Sequence, residues 1–193
     1  DFIKENHYEN FVDLVQYDVP ITAQILNRYK NFNERVSKNL KIKTVEFTST
    51  KAVKPYVKPV FDLINKTYTE IYGFTKLTED EMTEFAERFL PLLNPKLIKM
   101  ITDENGELLA FIIAMADLSE AIKNSRGRIL PFGWARILWA MKTSKRLQLL
   151  LGAIHPKYQN KGLDAVLATM LFGSAIKLGF KTVDSHLIMK DNL

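Results

Sequence analysis

From Leu147 the chain reads Leu147-Gln148-Leu149-Leu150-Leu151-Gly152-Ala153-Ile154-His155-Pro156-Lys157-Tyr158-Gln159-Asn160-Lys161-Gly162-Leu163-Asp164-Ala165, and its character changes twice along that run. The first part is nearly all apolar, the pattern of a strand covered on both faces. Pro156 then opens a polar loop, and a helix is expected over residues 162–178, with Gly179 as its C-cap. A helix start leaves backbone N–H groups unpaired at the positive end of the dipole. Gly162 has no side chain, so a ligand can approach the backbone there. Gln159, Asn160 and Lys161 add donors and one positive charge. Together these make a cradle suited to a diphosphate. A plain structural turn fits the same residues. The spacing departs from the Rossmann and Walker patterns, which need more glycines or a Gly-Lys-Ser/Thr ending.

Outward from this unit, the elements fall in a consistent order. Toward the C-terminus, residues 182–188 read as a strand. Toward the N-terminus, residues 118–123 and 132–142 read as helices joined by Arg126-Gly127-Arg128. Before them, residues 97–101 and 108–114 flank Asp103-Glu104-Asn105-Gly106, a hairpin whose Asn-Gly pair suits a turn needing positive φ. Two helices precede it. One carries Val57, Val60, Phe61, Ile64, Tyr68 and Ile71 on a single face and closes at Gly73. The other starts at Thr78, with Glu81 completing a capping box, and turns Met82, Phe85 and Phe89 inward. A strand over 42–47 opens this domain, taken as residues 40–193. Residues 1–39 read as an N-terminal arm or the tail of a preceding domain. They hold an alternating strand over 11–19, ended by Pro20, and a helix over 22–36 with Ile25, Tyr29, Phe32 and Val36 in register, broken at Ser37-Lys38-Asn39. The sum is a mixed α/β or α+β layer with one covered sheet.

Composition narrows the function. An apolar fraction of 47% and a charged fraction of 25% suit a soluble domain with a real core. The chain has no cysteine, which excludes disulfides, thiolate metal sites and cysteine nucleophiles. Nothing argues for secretion, no apolar run reaches the length of a membrane span, and a cytoplasmic setting is expected. The net charge of +5 suits anionic ligands. The basic residues are spread rather than massed, so no nucleic-acid partner is implied. Three histidines far apart in sequence give no metal-ligand spacing. The chain opens on Asp1 and ends on Leu193, so both ends read as cuts in a longer protein.

The run from Ile154 to Ala165 resembles the acetyl-CoA motif of the GNAT superfamily (GCN5-related N-acetyltransferases), in which a central strand is followed by Gln or Arg, two residues, Gly, one residue, then Gly or Ala. Gln159 and Gly162 match the first two fixed positions, and Asp164 stands in place of the last small residue. The order of elements from Lys41 to Asn192 resembles that fold too. More narrowly, the chain resembles a bacterial group of larger GNAT proteins, through Tyr72-Gly73-Phe74, Arg128-Ile129-Leu130-Pro131-Phe132-Gly133 and the Tyr158-to-Ala165 loop.

The resemblance implies a mostly antiparallel central sheet flanked by helices, whose last strands would follow Leu193. It implies acetyl-CoA or another acyl-CoA as co-substrate and a small-molecule or peptide amine as acceptor. Leu151, Gly152, Ala153 and Ile154 would pair with the pantetheine arm. The N–H groups of Gln159, Asn160, Lys161, Gly162, Leu163, Asp164 and Ala165 would hold the pyrophosphate. The Asp164 carboxylate, which pointed inward would repel the pyrophosphate or occupy those N–H groups, is expected to turn outward, with Lys161 and the N–H groups offsetting its charge. Asn192 would lie near the pantetheine. A non-catalytic CoA-binding or scaffold module is the second reading.

Acyl transfer to an amine needs a base and a proton donor. His155, closing the strand, and His186, on one face of its strand with Asp184, are the candidate bases, each set against a plainer role in a turn or in packing. Trp134, Ile137, Leu138 and Met141 form an apolar stripe, read first as core, then as a lid over a hydrophobic acceptor, and last as a membrane-surface contact. Arg126 and Arg128 read as solvated, with an anionic acceptor as the alternative. The sequence sets no oligomeric state.

Overall fold

In the computed structural model, which describes residues 2–9, 11–125, 133–185 and 188–190, the apolar runs lie side by side as a sheet. The strands are β1 (Leu14–Val15), β2 (Asp18–Pro20), β3 (Lys43–Glu46), β4 (Ile98–Thr102), β5 (Leu108–Ala116), β6 (Arg146–Ile154), β7 (Thr182–Asp184) and β8 (Ile188–Met189). Among the described residues, six of them form a sheet in the order β2-β7-β6-β5-β4-β3, and β1 pairs with β8. Every neighbouring pair is antiparallel except β6 and β7. The expected mixed, mostly antiparallel sheet is the one observed.

The helices are α1 (Phe2–Glu5), α2 (Ala23–Leu40), α3 (Thr50–Val53), α4 (Val57–Thr67), α5 (Glu79–Phe89), α6 (Ser119–Asn124), α7 (Gly133–Thr143) and α8 (Leu163–Lys177). Alternation along β5 divides the core. Phe111 and Ile113 face α4, where they pack with Val60, Leu63, Ile64, Ile98 and Met100. Burying one such aromatic side chain is worth about 2–3 kcal/mol. Ala110 and Ala114 face the other way, and these small residues let α8 lie close with Leu163, Val166, Leu171 and Ala175. Val36 and Leu40 of α2 cover the group from outside, so α8 is apolar nearly all round because it is sandwiched. Lys99, on the α8 side of β4, is fully buried. Its ammonium is paired with the Glu46 carboxylate and donates to Ser174 Oγ at 2.7 Å, which is how a buried charge is tolerated.

Local signals and long-range packing disagree in a few places. The capping box at Thr78–Glu81 forms as expected. The strand expected over 11–19 divides into β1 and β2, because Gln16 turns to donate to both Asp184 oxygens at 2.7 and 2.6 Å and the Tyr17 N–H bonds Ser185 Oγ at 2.9 Å. The strand expected over 182–188 likewise stops at Asp184. α2 runs past the expected Ser37-Lys38-Asn39 break to Leu40, where Lys41 adopts φ 52° and its N–H bonds the Ser37 carbonyl. α4 ends at Thr67, before Gly73. The stretch read as an arm supplies the edge strand β2 and the helix α2, and the 39/40 boundary falls in the last turn of α2.

Candidate functional site

The site is built on β6, which has different neighbours along its two halves. Residues 146–148 pair in parallel with Thr182, Val183 and Asp184 of β7. Beyond Gln148 that pairing stops, while β6 continues to Ile154 beside β5. The two parallel strands therefore part, and residues 149–154 form an open edge among the described residues. A register shift marks the transition: Ile113 faces Leu151 and Ala114 faces Leu149, so Leu150 is an extra, bulged residue. The bulge sends both Leu150 and Leu151 toward the α4–α5 side.

Antiparallel alternation says which backbone groups face the open edge. His155 N–H donates to the Leu109 carbonyl at 2.8 Å, which puts 155 in a hydrogen-bonded position. Ala153 is then hydrogen-bonded across to Phe111, whereas Gly152 and Ile154 direct their N–H and C=O groups away from β5. Polar backbone groups at an edge need partners, and side chains supply some of them. The Tyr68 hydroxyl donates to the Gly152 carbonyl at 2.8 Å and accepts from the Gly152 N–H at 3.3 Å. Gln159 Nε2 donates to the Ile154 carbonyl at 3.3 Å. An open edge of this kind can take an extended amide-bearing ligand as an added strand.

Where the strands part, Asp184 is buried and accepts from Arg146 at 3.0 Å as well as from Gln16. Arg146 also lies 3.6 Å from both Asp18 and Asp117, so one guanidinium ties β2, the end of β5, β6 and β7 together. This cluster fixes the point of divergence.

After β6 the chain turns sharply. His155 Nδ1 accepts from Lys157 N–H at 3.2 Å, and Asn160 and Gly162 take φ of 59° and 86°. α8 then starts at Leu163, whose side chain is fully buried. Lys161 lies over the Tyr158 ring at 5.2 Å, and Asp164 is exposed in the first helical turn. The missing side chain of Gly162 does not leave room for a ligand. A Cβ there would stand 2.7 Å from the Phe32 ring and 3.1 Å from Val36, both on α2. Helix packing and positive φ, rather than ligand approach, account for this glycine. The N–H groups at the helix start are a separate matter, and the N-cap Gly162 supplies no side-chain partner for them. Gly152 is the opposite case, since a Cβ there would meet nothing closer than 3.5 Å.

His155 is half-buried, and Lys66 Nζ lies 2.8 Å from its Nε2. Burial first, then the positive charges of Lys66 and Lys157, push its pKa below the ordinary 6.5. The ring is thus neutral near pH 7. Tyr68 is pushed above its ordinary 10.0, chiefly by burial, and keeps its proton. His186, Asn192, Arg126, Arg128 and the rest of 126–132 lie outside the described residues. On α7, Trp134, Leu138 and Trp139 are exposed rather than core.

A cavity of about 380 Å³ lies between α4, α5 and the sheet. Val57, Phe61, Phe85, Phe89, Leu150 and Leu151 are among the apolar residues that line it, so it adjoins the open half of β6. The stacked Phe85 and Phe89 rings are half-exposed on α5.

Sequence reasoning had Tyr68 only as one residue of an apolar helix face and missed Phe32's contact with Gly162. A tyrosine hydroxyl on such a face signals a hidden partner. The partner itself is 84 residues away in sequence.

The fold is that of the GCN5-related N-acetyltransferases. A GCN5-related N-acetyltransferase of Sphaerobacter thermophilus superposes on 97% of this chain and 55% of its own with a TM-score of 0.51, at 9% identity. No family model matches the chain. In sequence it is similar to a bacterial ceramide synthase of Caulobacter vibrioides, 24% identical over 142 residues, covering 70% of this chain and 37% of the relative. It is also similar to protein YghO of Escherichia coli, 29% identical over 112 residues, covering 57% of this chain and 28% of the relative. The matched region thus spans about a third of those proteins' length. Among the described residues no helix is long and apolar enough to cross a membrane.

Proposed function

We propose that this chain carries an acyl-CoA-dependent N-acyltransferase site. The pantetheine arm lies along the open half of β6, over Leu151, Gly152, Ala153 and Ile154, and the diphosphate meets the turn from Gln159 to Ala165. The observation that carries this reading is the strand edge at 149–154, which has no neighbouring strand among the described residues and ends beside the N-terminus of α8. The edge offers amide donors and acceptors to an amide-bearing arm, and the helix start offers N–H groups and positive potential to phosphates.

The reaction is direct. The amine nitrogen attacks the thioester carbonyl carbon, the oxyanion is held by a backbone N–H of the open edge, the C–S bond breaks, and the thiolate takes a proton as the amine loses one. With no cysteine in the chain, an acyl-cysteine intermediate is excluded. His155, held neutral, closes β6 at the diphosphate end of this path, so in this reading it lies away from the thioester, which sits at the Leu150 end. The apolar cavity against Leu150 and Leu151 supports an acyl chain or an amine with a long hydrocarbon tail, and similarity to a protein named as a ceramide synthase points the same way.

Calorimetric titration with acetyl-CoA and with a long-chain acyl-CoA tests the reading. Both should bind the folded chain, the long chain more tightly. Lys161→Glu, which places a carboxylate at the diphosphate, should weaken both by about tenfold. The absence of binding by folded wild-type protein overturns the assignment.

A further inference from the structure

The backbone groups of Gly152 are the centre of the open edge, yet they already have a partner. The Tyr68 hydroxyl holds both of them, donating to the carbonyl at 2.8 Å and accepting from the N–H at 3.3 Å. One hydroxyl thus fills the donor and acceptor positions that an amide of a neighbouring strand would fill. Its approach is fixed from three sides. Tyr68 is the residue that ends α4, its ring packs edge-on against Phe74 at 5.6 Å, and Lys66, two residues earlier, meets His155 at the end of the same strand half. The packing of the sheet does not explain a glycine at 152, because a Cβ would make only ordinary contacts there.

Resting on the acyl-CoA reading above, we propose that Tyr68 is a cofactor-site residue: its hydroxyl stands in for the amide group of the arriving cofactor at Gly152 and is exchanged for it when the arm lies down on β6. The edge is then never bare. Gly152 keeps its hydrogen bonds in the empty and the filled site, and the cofactor arm has to displace the phenol to bind. Leaving the strand, the hydroxyl stays next to whatever replaces it, because its ring remains anchored on Phe74 and the last turn of α4.

The consequence has a sign that a purely structural tyrosine does not share. Tyr68→Phe keeps the ring and its packing but removes the competitor, so CoA should bind about fivefold more tightly than to wild type. Adenosine 3′,5′-bisphosphate, which lacks the pantetheine arm, should bind both proteins equally. A structural role predicts weaker CoA binding, or an equal shift for both ligands, and either result overturns the proposal. If neither protein binds CoA, the acyl-CoA reading fails and this inference with it. If only the variant binds, both stand. Fluorotyrosine at position 68 of the otherwise intact chain gives the same test without deleting the hydroxyl. Its fluorine resonance should move on adding CoA and not on adding the bisphosphate, and an unmoved resonance with CoA bound overturns the proposal.

Discussion

The two halves of β6 are one strand in sequence and two materials in structure. Residues 146–148 have a strand on either side, an arginine–aspartate cluster at their end and Leu147 fully buried. Among the described residues, 149–154 have a strand on one side only, a bulge, and Leu151 more than a third exposed. In the first half hydrogen bonds go to other strands and specify the fold. In the second they go to β5 on one side and to the Tyr68 and Gln159 side chains on the other. The difference teaches that the proposed site would come from a partner strand withdrawn at a fixed point, rather than from catalytic side chains added to a finished sheet.

The largest expected effect tests the closed half. Leu147→Ala leaves a cavity at a fully buried position and should cost about 3 kcal/mol in chemical denaturation. Leu151→Ala, in the open half, should cost less than about 1 kcal/mol. Equal losses would erase the distinction. The glycines sharpen it next. Gly162→Ala must bear φ 86° and a clash with Phe32, and should lose about 2 kcal/mol or more. Gly152→Ala should stay within about 1 kcal/mol of wild type in stability, so any larger effect it has should appear in acyl-CoA binding.

The smallest effect is in pH. The His155 pKa is lower in the folded protein than in the unfolded chain, so unfolding takes up a proton as the solution is acidified. Its contribution to stability is complete above about 6.5 and falls as pH drops below that value. A plot of melting temperature from pH 8 to 5 should decline more steeply for wild type than for His155→Gln. Parallel curves would remove the neutral, Lys66-facing histidine from the account.

Much of the scaffold around β6 could be read in advance. The hairpin, the capping box at Thr78, β6 and the long helix after it announce themselves by local pattern, since each needs only neighbours in sequence. The open half is expected only through the family resemblance, which puts the pantetheine arm on residues 151–154; local pattern is silent there, because an absent partner leaves no mark on the strand itself. Nothing in Leu149-Leu150-Leu151 says that β7 stops at Asp184. Gly162 shows the converse limit. Its place before a helix suggested room for a ligand, while the space belongs to Phe32, a residue 130 positions earlier whose helix could be read but whose docking site could not. Tyr68 fell between the two, visible as part of an apolar stripe and silent about its hydroxyl.

The Phe32–Gly162 contact makes α2 a handle on the turn. The ring rests against the residue that starts α8, and Val36 lies one helical turn along the same face. A displacement of α2 would reach the 159–162 turn through this contact and the two edges of the sheet through the short links to β2 and β3. Phe32 shares this role with Val36 and with the Asn33–Thr169 hydrogen bond to α8, so a smaller side chain at 32 would loosen the link between α2 and the turn without removing it.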